Sequence, residues 1–553
     1  MNTEFDYIII GGGSGGSVMA ARLSEDPNVT VCLLEAGGEG NSALVNTPLG
    51  IVGMVPTKIN NWAFETVPQK GLNGRVGYQP RGKALGGSSA INAMVYIRGH
   101  QTDYDRWARE EGCQGWSFND VLPYFRLSEG NEVFNNEYHG QDGPLKVSQL
   151  RSDNPFQNIY LQAAKEAGFK LTTDFNGADQ EGVGIYQVTQ TNGERCSVAR
   201  AYLFPVLKRP NLSVYTQAMV ERILFEGKRA TGVQATVQGT ATRLTAKREV
   251  LLAAGAFQSP QLLMVSGVGD AQELQQHGIP VVHHLPGVGK NLQDHPDFVF
   301  GFNTRHTATL GISLKGAWHL LTQFLRYRKE RRGLISSNFA EGGGFLKIRP
   351  DSTAPDVQLH FVIAMVDDHA RKPSLGHGLS CHVCLLRPKS RGTVKLAGPG
   401  MDKAPVIDPA FLEHPDDVKD LVEGFKLTRK IMQAPALARH ISGDPFTANV
   451  NTDEEIVQSL RNRVDTVYHP IGTCKMGVDS MAVVDTELRV HGLEGLRVID
   501  ASVMPSLIGG NTNAPVVMMA EKLVDLMRGQ SRVAPVSTTA QSQIVASPSL
   551  EVV

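Results

Sequence analysis

The fold is decided by Asp6-Tyr-Ile-Ile-Ile-Gly-Gly-Gly-Ser-Gly-Gly-Ser-Val-Met-Ala-Ala-Arg-Leu23. Its first five residues form a short apolar, β-branched run, typical of a buried parallel strand. The glycines at 11, 13 and 16 match G-x-G-x-x-G, and Ser17–Leu23 continues at helical spacing. A second strand candidate, Val29–Leu34, ends at Glu35, about 20 positions beyond the glycines. This strand–turn–helix–strand unit predicts a Rossmann-like, dinucleotide-binding α/β domain.

Each part of the unit has a physical task. Gly11 permits the tight turn, Gly13 lets the backbone approach a pyrophosphate, and Gly16 lets the helix pack on the strand. The helix that begins near Ser14 supplies free N–H groups and a partial positive charge for phosphates. Glu35, with Ala36 beside it, is expected to meet the adenosine ribose. The unit alone does not distinguish FAD from NAD.

Length and charge restrict the wider interpretation. A chain of 553 residues is long for one domain, so we expect two lobes with an ample core. The 54 basic and 55 acidic residues leave a net charge of −1, and this balance argues against nucleic acid as a partner.

No signal peptide or membrane-spanning run is visible, so we expect a cytoplasmic protein. The six cysteines do not suggest a disulfide framework. Cys381 and Cys384 form a C-x-x-C, but they lie in a predicted buried strand without a second pair, and we expect no metal site. His283 and His284 have no carboxylate at metal-ligand spacing and are interpreted as structural.

Several further segments resemble the glucose–methanol–choline (GMC) oxidoreductases, in the order in which that family carries them. The resemblance covers nearly the whole chain and most closely concerns the bacterial alcohol, choline and sorbose dehydrogenases. Its segments are Gly82–Asp105, Gly255–Gly269, Gly287–His295, Pro388–Gly392, Tyr468–Gly477 and Gly510–Pro515.

The resemblance implies FAD as the cofactor. It places Gly86, Ser88, Asn92, Ala93 and Val95 along the flavin and Val220 at the adenine. It places Asp500 and Ala501 near the pyrophosphate and ribityl chain, and Thr512 and Pro515 in the C-terminal flavin segment. Some members attach the flavin through a His just before the Asn. This chain has Ile91 there, so we expect dissociable FAD.

His469 and Asn513 are the predicted catalytic residues. Alcohol oxidation needs a base for the hydroxyl proton, and an imidazole titrates near neutrality. The resemblance implies that His469 is this base and that Asn513 orients the substrate oxygen. His295 and His491 are interpreted as structural. The helix predicted over Ala514–Met527 would direct its positive end at the flavin, or would simply be core.

The expected fold class is α/β, with the Rossmann-like FAD-binding domain joined to a discontinuous substrate domain of antiparallel sheet and helices. We assign 1–155, 195–305 and 465–530 to the FAD-binding domain, 156–194 and 306–464 to the substrate domain, and 531–553 to a loose tail. Within the substrate domain we predict strands at Val357–Ile363 and Ser380–Leu386 and helices at 416–431 and 452–463.

The stretch Leu314–Arg332 joins an apolar part to a basic end. One interpretation is a helix that lies on an anionic bilayer, at the inner face of the membrane. The favoured one is a substrate-lobe helix with a solvated basic end.

The sequence favours an FAD-dependent alcohol dehydrogenase with a small alcohol, a primary alcohol or polyol, as substrate and a quinone as electron acceptor. An O₂-reducing alcohol oxidase, a choline dehydrogenase and a protein similar to hydroxynitrile lyases stay open as alternatives. The oligomeric state is open.

Overall fold

The predicted first strand, Asp6–Ile10, forms as Glu4–Ile10 and lies in the interior of a seven-stranded sheet. The computed structural model describes residues 3–534. The apolar runs at Val31–Leu34 and Leu212–Tyr215 extend the sheet in parallel on one side. On the other side Thr240–Leu252 is also parallel, and it pairs with Leu496–Val498. The antiparallel strands Arg229–Val237 and Ala218–Glu226 close that edge.

A second, eight-stranded sheet is antiparallel throughout, as expected for the substrate domain. The predicted strands at Val357–Ile363 and Ser380–Leu386 form as Val357–Val362 and Gly376–Leu385 and lie side by side. The order across the sheet is Ile441–Gly443, Pro296–Thr304, Gly376–Leu385, Val357–Val362, Ala340–Leu346 and Gly182–Ile185. Gly311–Ile312 also pairs with Gly376–Leu385, and Asp465–Thr466 also pairs with Pro296–Thr304.

The helices follow the apolar periodicity of the sequence, and those predicted at 416–431, 452–463 and 514–527 form with small shifts at their ends. The α-helices are Ser14–Leu23, Ala43–Asn46, Ile51–Met54, Gln101–Arg109, Phe118–Ser128, Phe156–Glu166, Gly255–Val265, Ala271–Gln276, Leu314–Glu330, Pro415–Met432, Pro435–Ala438, Asp453–Arg463 and Asn513–Arg528. Within residues 3–534, five short two-stranded ladders accompany the two large sheets: Phe64–Glu65 with Tyr78–Gln79, Glu129–Asn131 with Leu145–Val147, Gln190–Thr191 with Glu194–Arg195, Val268–Gly269 with His283–His284, and Thr393–Lys395 with Val406–Asp408.

Each large sheet has its own hydrophobic core. The first helix (Ser14–Leu23) packs on the first sheet, and the last helix (Asn513–Arg528) packs on the first helix. The second sheet packs on Pro415–Met432 and Phe156–Glu166. The α/β fold class with a Rossmann-like domain and an antiparallel second domain is therefore confirmed.

The division into domains stays a prediction, but two strands lie on the other side of the boundaries that it draws. Pro296–Thr304 and Asp465–Thr466 fall in segments assigned to the FAD-binding domain, yet both pair within the second sheet. Of the predicted tail 531–553, residues from 535 onward lie outside the described part of the chain. Before that point, Arg532 contacts Glu521 and Asp525 of the last helix.

Among residues 3–534, no helix combines the length and apolar character needed to cross a bilayer.

Candidate active site

A cavity of about 670 Å³ runs between the two sheets. One end lies at the carboxyl ends of the parallel strands, beside Ile10, Leu34 and Ala253. The other end lies against the second sheet, beside His360 and Val362. Ligands of open parallel sheets bind outside the carboxyl ends of the strands, so the location agrees with the nucleotide-binding prediction.

The glycine motif forms the wall of the first end. Gly11 has φ +98°, a conformation that an L side chain rarely adopts. The first helix begins after Gly13, and no side chain caps it, so its first N–H groups are available to an anion at the cavity wall. Glu35 lines the cavity while its carboxylate accepts hydrogen bonds from the Gly12 and Gly37 amides at 2.8 and 2.7 Å.

The second glycine segment packs against the first one, backbone to backbone. A Cβ on Gly87 would lie 2.7 Å from the Gly13 Cα, and a Cβ on Gly82 would lie 2.1 Å from the Gly87 carbonyl oxygen. Only glycine fits at such an approach. The two loops together therefore form a narrow cradle along the cavity.

Arg195 holds the segment that follows the cradle. Its guanidinium donates to the backbone and side-chain oxygens of Asn92 at 2.6 and 2.9 Å, and to the Val45 carbonyl. Ile91 lines the cavity at the position where some GMC proteins attach their flavin, and it offers no nucleophile. Dissociable binding of the cofactor stays a prediction.

The amino-terminal ends of two helices meet at the centre of the cavity. Ser14, at the start of the first helix, donates from Oγ to Asn513 Oδ1 at 2.7 Å, at the start of the last helix. Both ends carry partial positive charge, which favours an anionic or electron-rich ligand between them. Asp500 lies alongside and accepts hydrogen bonds from the Gly255 and Ser502 amides.

Most of the predicted cofactor residues lie on this one surface. Lining the cavity are Gly11, Gly13, Ser14, Glu35, Ala36, Ser88, Asn92, Ala93, Val95, Val220, Asp500, Ala501 and Thr512. Gly16, Gly86 and Pro515 lie behind the lining. Gly16 packs the first helix against the Gly11 carbonyl and Gly86 approaches Ser197, whereas Pro515 occupies the first turn of the last helix.

His469 projects into the other end of the cavity from a strained turn. The preceding residue, Tyr468, has φ +76°, which costs a non-glycine residue roughly 1–3 kcal/mol. Asp294 holds this turn, because its Oδ1 accepts hydrogen bonds from the amides of His469 and His295, both at 2.9 Å. Burial raises the pKa of Asp294 to about 6.

A chain of hydrogen bonds fixes the proton on His469. His295 Nε2 lies 3.1 Å from two carbonyl oxygens, those of Leu386 and Ile508, so it must carry a hydrogen. Burial lowers the pKa of His295 to about 4, so its Nδ1 is an unprotonated acceptor at neutral pH. That nitrogen lies 3.0 Å from His469 Nδ1, which therefore donates to it. His469 is left with a free lone pair on Nε2.

A second chain reaches the same nitrogen from the opposite side. Tyr186 donates its hydroxyl hydrogen to the Leu359 carbonyl and so accepts one from Gln358 Nε2 at 3.3 Å. The same Gln358 nitrogen donates to Asn511 Oδ1 at 3.1 Å. Asn511 therefore directs its Nδ2 hydrogens at His469 Nε2, at 3.1 Å. Both chains make Nε2 an acceptor.

This geometry differs from the predicted catalytic pair. Asn511 contacts His469, whereas Asn513 lines the cavity but bonds to Ser14. The reason is the helix start: residue 511 precedes the helix and faces the imidazole, while residue 513 belongs to the first turn and faces the first helix. The structure thus places Asn511, and not Asn513, beside His469, while the orienting role of either residue stays a prediction.

Burial is the largest cause that lowers the pKa of His469 far below that of a free imidazole. Electrostatic coupling to His295, His360 and Arg81 lowers it further, and of these three neighbours Arg81 is the one that carries a positive charge at neutral pH. His469 is therefore neutral at neutral pH, as a proton acceptor must be before it acts.

Several residues at the His469 end of the cavity were not predicted from the sequence. Arg81, Asn338 and His360 line the cavity, and each has at least one buried polar atom without a partner among residues 3–534. Such atoms are costly unless a ligand or water satisfies them. His295 and Asn511 lie inside the quoted family segments, so their motifs were visible, but their contacts with His469 were not.

The other candidate sites have ordinary surroundings. All six cysteines are buried and free, and Cys381 and Cys384 lie in the strand Gly376–Leu385. His283 and His284 form a short strand. Within the described chain, no group of His, Cys, Asp and Glu has the geometry to hold a metal ion.

Comparison with known proteins agrees with this site. GMC oxidoreductase family models match residues 5–297 and 388–520. An alcohol dehydrogenase [acceptor] of Pseudomonas putida is 46% identical, with 95% of each chain covered. An oxygen-dependent choline dehydrogenase of Escherichia coli is 44% identical, over 95% of this chain and 96% of that protein.

A solved Aspergillus oryzae formate oxidase variant, in a study of FAD modification, superposes with a TM-score of 0.88 at 27% identity. The superposition covers 96% of this chain and 98% of the oxidase. The assignments of the family and of the cofactor therefore rest on most of the chain, and not on the glycine motif alone. The chain belongs to the GMC oxidoreductase family and is an FAD-dependent enzyme.

Proposed function

We propose that this enzyme oxidises an alcohol to an aldehyde or ketone, with His469 as the base. The observation that carries the proposal is the pair formed by His469 Nε2 and Asn511 Nδ2, 3.1 Å apart at the cavity wall. One atom accepts a proton and the other donates a hydrogen bond, which are the two functions that an alcohol oxygen requires.

The hydroxyl of the substrate takes the place of the direct contact between the two side chains. Its hydrogen points at His469 Nε2, and its oxygen accepts from Asn511 Nδ2. As the carbon loses a hydride, His469 receives the hydroxyl proton and becomes an imidazolium, while Asn511 supports the oxygen that becomes the carbonyl. Bound FAD supplies the hydride acceptor.

We infer a primary alcohol with an apolar body as the substrate. The cavity near the second sheet is lined by apolar side chains, among them Leu310, Phe339, Val362, Ala364 and Met365. These side chains favour a hydrocarbon over a polyol, whose further hydroxyls would lack partners on such a wall.

Choline is the second candidate, favoured by the 44% identity to a choline dehydrogenase. A quaternary ammonium is best held by a carboxylate or an aromatic cage. Among the described residues that line the cavity, the only carboxylates are Glu35 and Asp500, both at the nucleotide end. Asp297 lies behind the wall, with His382 bonded to it at 2.6 Å. These positions support a neutral substrate.

We propose a quinone-type electron acceptor, in keeping with the 46% identical relative whose name specifies an acceptor. An oxidase that reduces O₂ differs in one observable: it releases hydrogen peroxide when alcohol is added in air. A lyase differs in another, because it leaves its flavin oxidised.

An anaerobic absorbance titration of the holoenzyme with hexanol, sorbitol, choline and benzyl alcohol tests the proposal. We expect a neutral primary alcohol to bleach the flavin. We expect His469→Ala to slow that bleaching by about 10²- to 10⁴-fold, since general base catalysis contributes about that much. The FAD content of the variant should equal that of the wild type. An unbleached flavin with every alcohol, or bleaching that persists unchanged in His469→Ala, would contradict the proposed reaction.

A further inference from the structure

The helix Leu314–Glu330 carries its apolar side chains on the outside. Leu314, Trp318, Leu321 and Leu325 recur at the spacing of one helix face, and we call these four residues the apolar stripe. Leu314 is 93% exposed, Trp318 is 69% exposed and Leu325 is 61% exposed. Only Gly316 and Tyr327 of this helix are buried.

The opposite face ties the helix to the protein mainly through polar contacts. Gln323 accepts a hydrogen bond from the Leu334 amide at 3.0 Å, and the Tyr327 hydroxyl donates to the Gly193 carbonyl at 3.1 Å. Ser313 caps the first turn by accepting from the Gly316 amide. The orientation is therefore fixed by specific bonds, and it is the reverse of that of an ordinary surface helix.

Neighbouring residues widen the exposed surface at the mouth of the active-site cavity. Ile312, 55% exposed, forms a bridge with Leu375, 86% exposed. Ile312 and Leu320 also line the cavity, as do Lys372 and Pro373. The apolar stripe thus adjoins the entrance to the site that holds His469.

A smaller cavity of about 240 Å³ lies beneath the helix. It shares four lining residues with the large cavity: Leu310, Gly311, Ile312 and Leu320. The shared residues place this smaller cavity between the stripe and the substrate end, with the apolar side chains of Leu310, Ile312 and Leu320 at the junction.

Positive charge accompanies the apolar stripe. Residues 314–332 include six basic residues and one acidic residue. Arg326, Arg331 and Arg332 pair with acidic neighbours. Lys315, Arg328 and Lys329 are exposed and make no salt bridge within residues 3–534. An exposed apolar strip with free cations beside it complements the surface of an anionic bilayer.

We propose that the apolar stripe docks on an anionic phospholipid bilayer, with the cavity mouth against the lipid. The proposal rests on the proposed function, because its purpose is to admit an apolar alcohol or quinone from the membrane. The lipid is favoured over a protein partner by the cations that flank the stripe and by the smaller cavity beneath it. Trp318 suits the lipid interface, since its ring is apolar and its N–H needs a polar neighbour.

Co-sedimentation of the FAD-loaded enzyme with vesicles tests the docking. We expect binding to vesicles of phosphatidylcholine mixed with phosphatidylglycerol, weaker binding to pure phosphatidylcholine, and release at about 0.5 M salt, where exposed charges are screened. Trp318→Ser with Leu325→Ser should reduce partitioning by at least about tenfold, because two apolar anchors are lost. Lys315→Glu with Lys329→Glu should reduce only the binding that depends on the anionic lipid.

The matched control is Val478→Ser, which removes an equally exposed apolar side chain, 76% exposed, outside the stripe and outside the cavity lining. It should bind vesicles like the wild type. Flavin bleaching by a short, water-soluble alcohol should be unchanged in the stripe and control variants, so a failure to dock is separable from a failure of the proposed reaction.

Absence of sedimentation with anionic vesicles would overturn the proposal, as would equal sedimentation of the Trp318/Leu325 variant. If that variant instead converts an oligomer into a monomer in size-exclusion chromatography, the stripe is an interface between copies of the chain, and the lipid proposal fails.

Discussion

At the scale of single residues, the function of a side chain depends on which neighbour it reaches, and two asparagines illustrate this. Asn511 and Asn513 are two positions apart, yet one contacts His469 and the other contacts Ser14. His295 likewise acts through its neighbour, since its unprotonated Nδ1 fixes which nitrogen of His469 carries the hydrogen. A neutral base with one defined tautomer results.

The two asparagines can be tested against each other. We expect Asn511→Ala to slow flavin bleaching by the alcohol about tenfold or more, because a buried hydrogen-bond partner lost without replacement costs roughly 1–3 kcal/mol. Asn513→Ala should leave the bleaching rate per bound flavin within about twofold and should mainly weaken FAD retention. Anaerobic stopped-flow absorbance measures the rate and equilibrium dialysis measures retention. The reverse pattern would return the catalytic role to Asn513.

At the scale of elements, the strongest constraint is the contact between the two glycine loops. The loop at 11–15 starts the first helix, and the loop at 82–88 lies on it with no room for a Cβ at Gly87. The cradle is therefore formed by backbone, and its shape depends on both loops at once.

Gly87→Ala should open this cradle. Gly87 has φ +53°, and its new Cβ would come within 2.7 Å of the Gly13 Cα, so one loop must move. Because the left-handed conformation alone costs roughly 1–2 kcal/mol, we expect FAD affinity to fall at least about tenfold. Gly38→Ala is the control, since nothing lies within 4 Å of its added methyl. Flavin fluorescence titration of the two apoproteins compares them, and equal affinities would contradict the cradle.

Local elements were predictable because consecutive residues carry their signal. The strand at Glu4–Ile10, the helix at Pro415–Met432 and the neighbouring strands Val357–Val362 and Gly376–Leu385 each follow from a short periodic run. Contacts between distant residues were not predictable. His295 and His469 are 174 positions apart, and no pattern along the chain indicates that their Nδ1 atoms meet.

The same limit applies to the surface helix. Its sequence shows an apolar part and a basic end, but the direction of the apolar face depends on the bonds of Gln323 and Tyr327 to other segments. Periodicity alone would have turned that face toward the core.

At the scale of the whole molecule, segments near the beginning and the end of the described chain are joined by ion pairs. Glu521 in the last helix is fully buried and pairs with Arg22 of the first helix at 2.8 Å. It also pairs with Arg532 at 2.9 Å and accepts a hydrogen bond from the Tyr202 hydroxyl at 2.8 Å. One carboxylate therefore joins segments that are hundreds of residues apart.

Glu521→Ala should destabilise the protein by roughly 1–3 kcal/mol, since the partly buried Arg22 and Arg532 each lose one of two acidic partners and the Tyr202 hydroxyl loses its acceptor. Thermal unfolding followed by circular dichroism should show a lower midpoint temperature for Glu521→Ala than for the wild type. The midpoint of Glu521→Gln should lie between the two, because the glutamine keeps the hydrogen bond from Tyr202. The molecules that stay folded should still bleach with alcohol at the wild-type rate. An unchanged midpoint would show that the network contributes nothing net.

The meeting of the first and last helices also orders events during protein synthesis. Ser14 of the glycine motif is synthesised 499 residues ahead of its partner Asn513. The strand Leu496–Val498, which completes the first sheet, is equally late. The part of the cavity wall formed by Thr512 and Asn513 is therefore absent until these residues have been synthesised, and we expect the complete cradle for FAD to form late in translation.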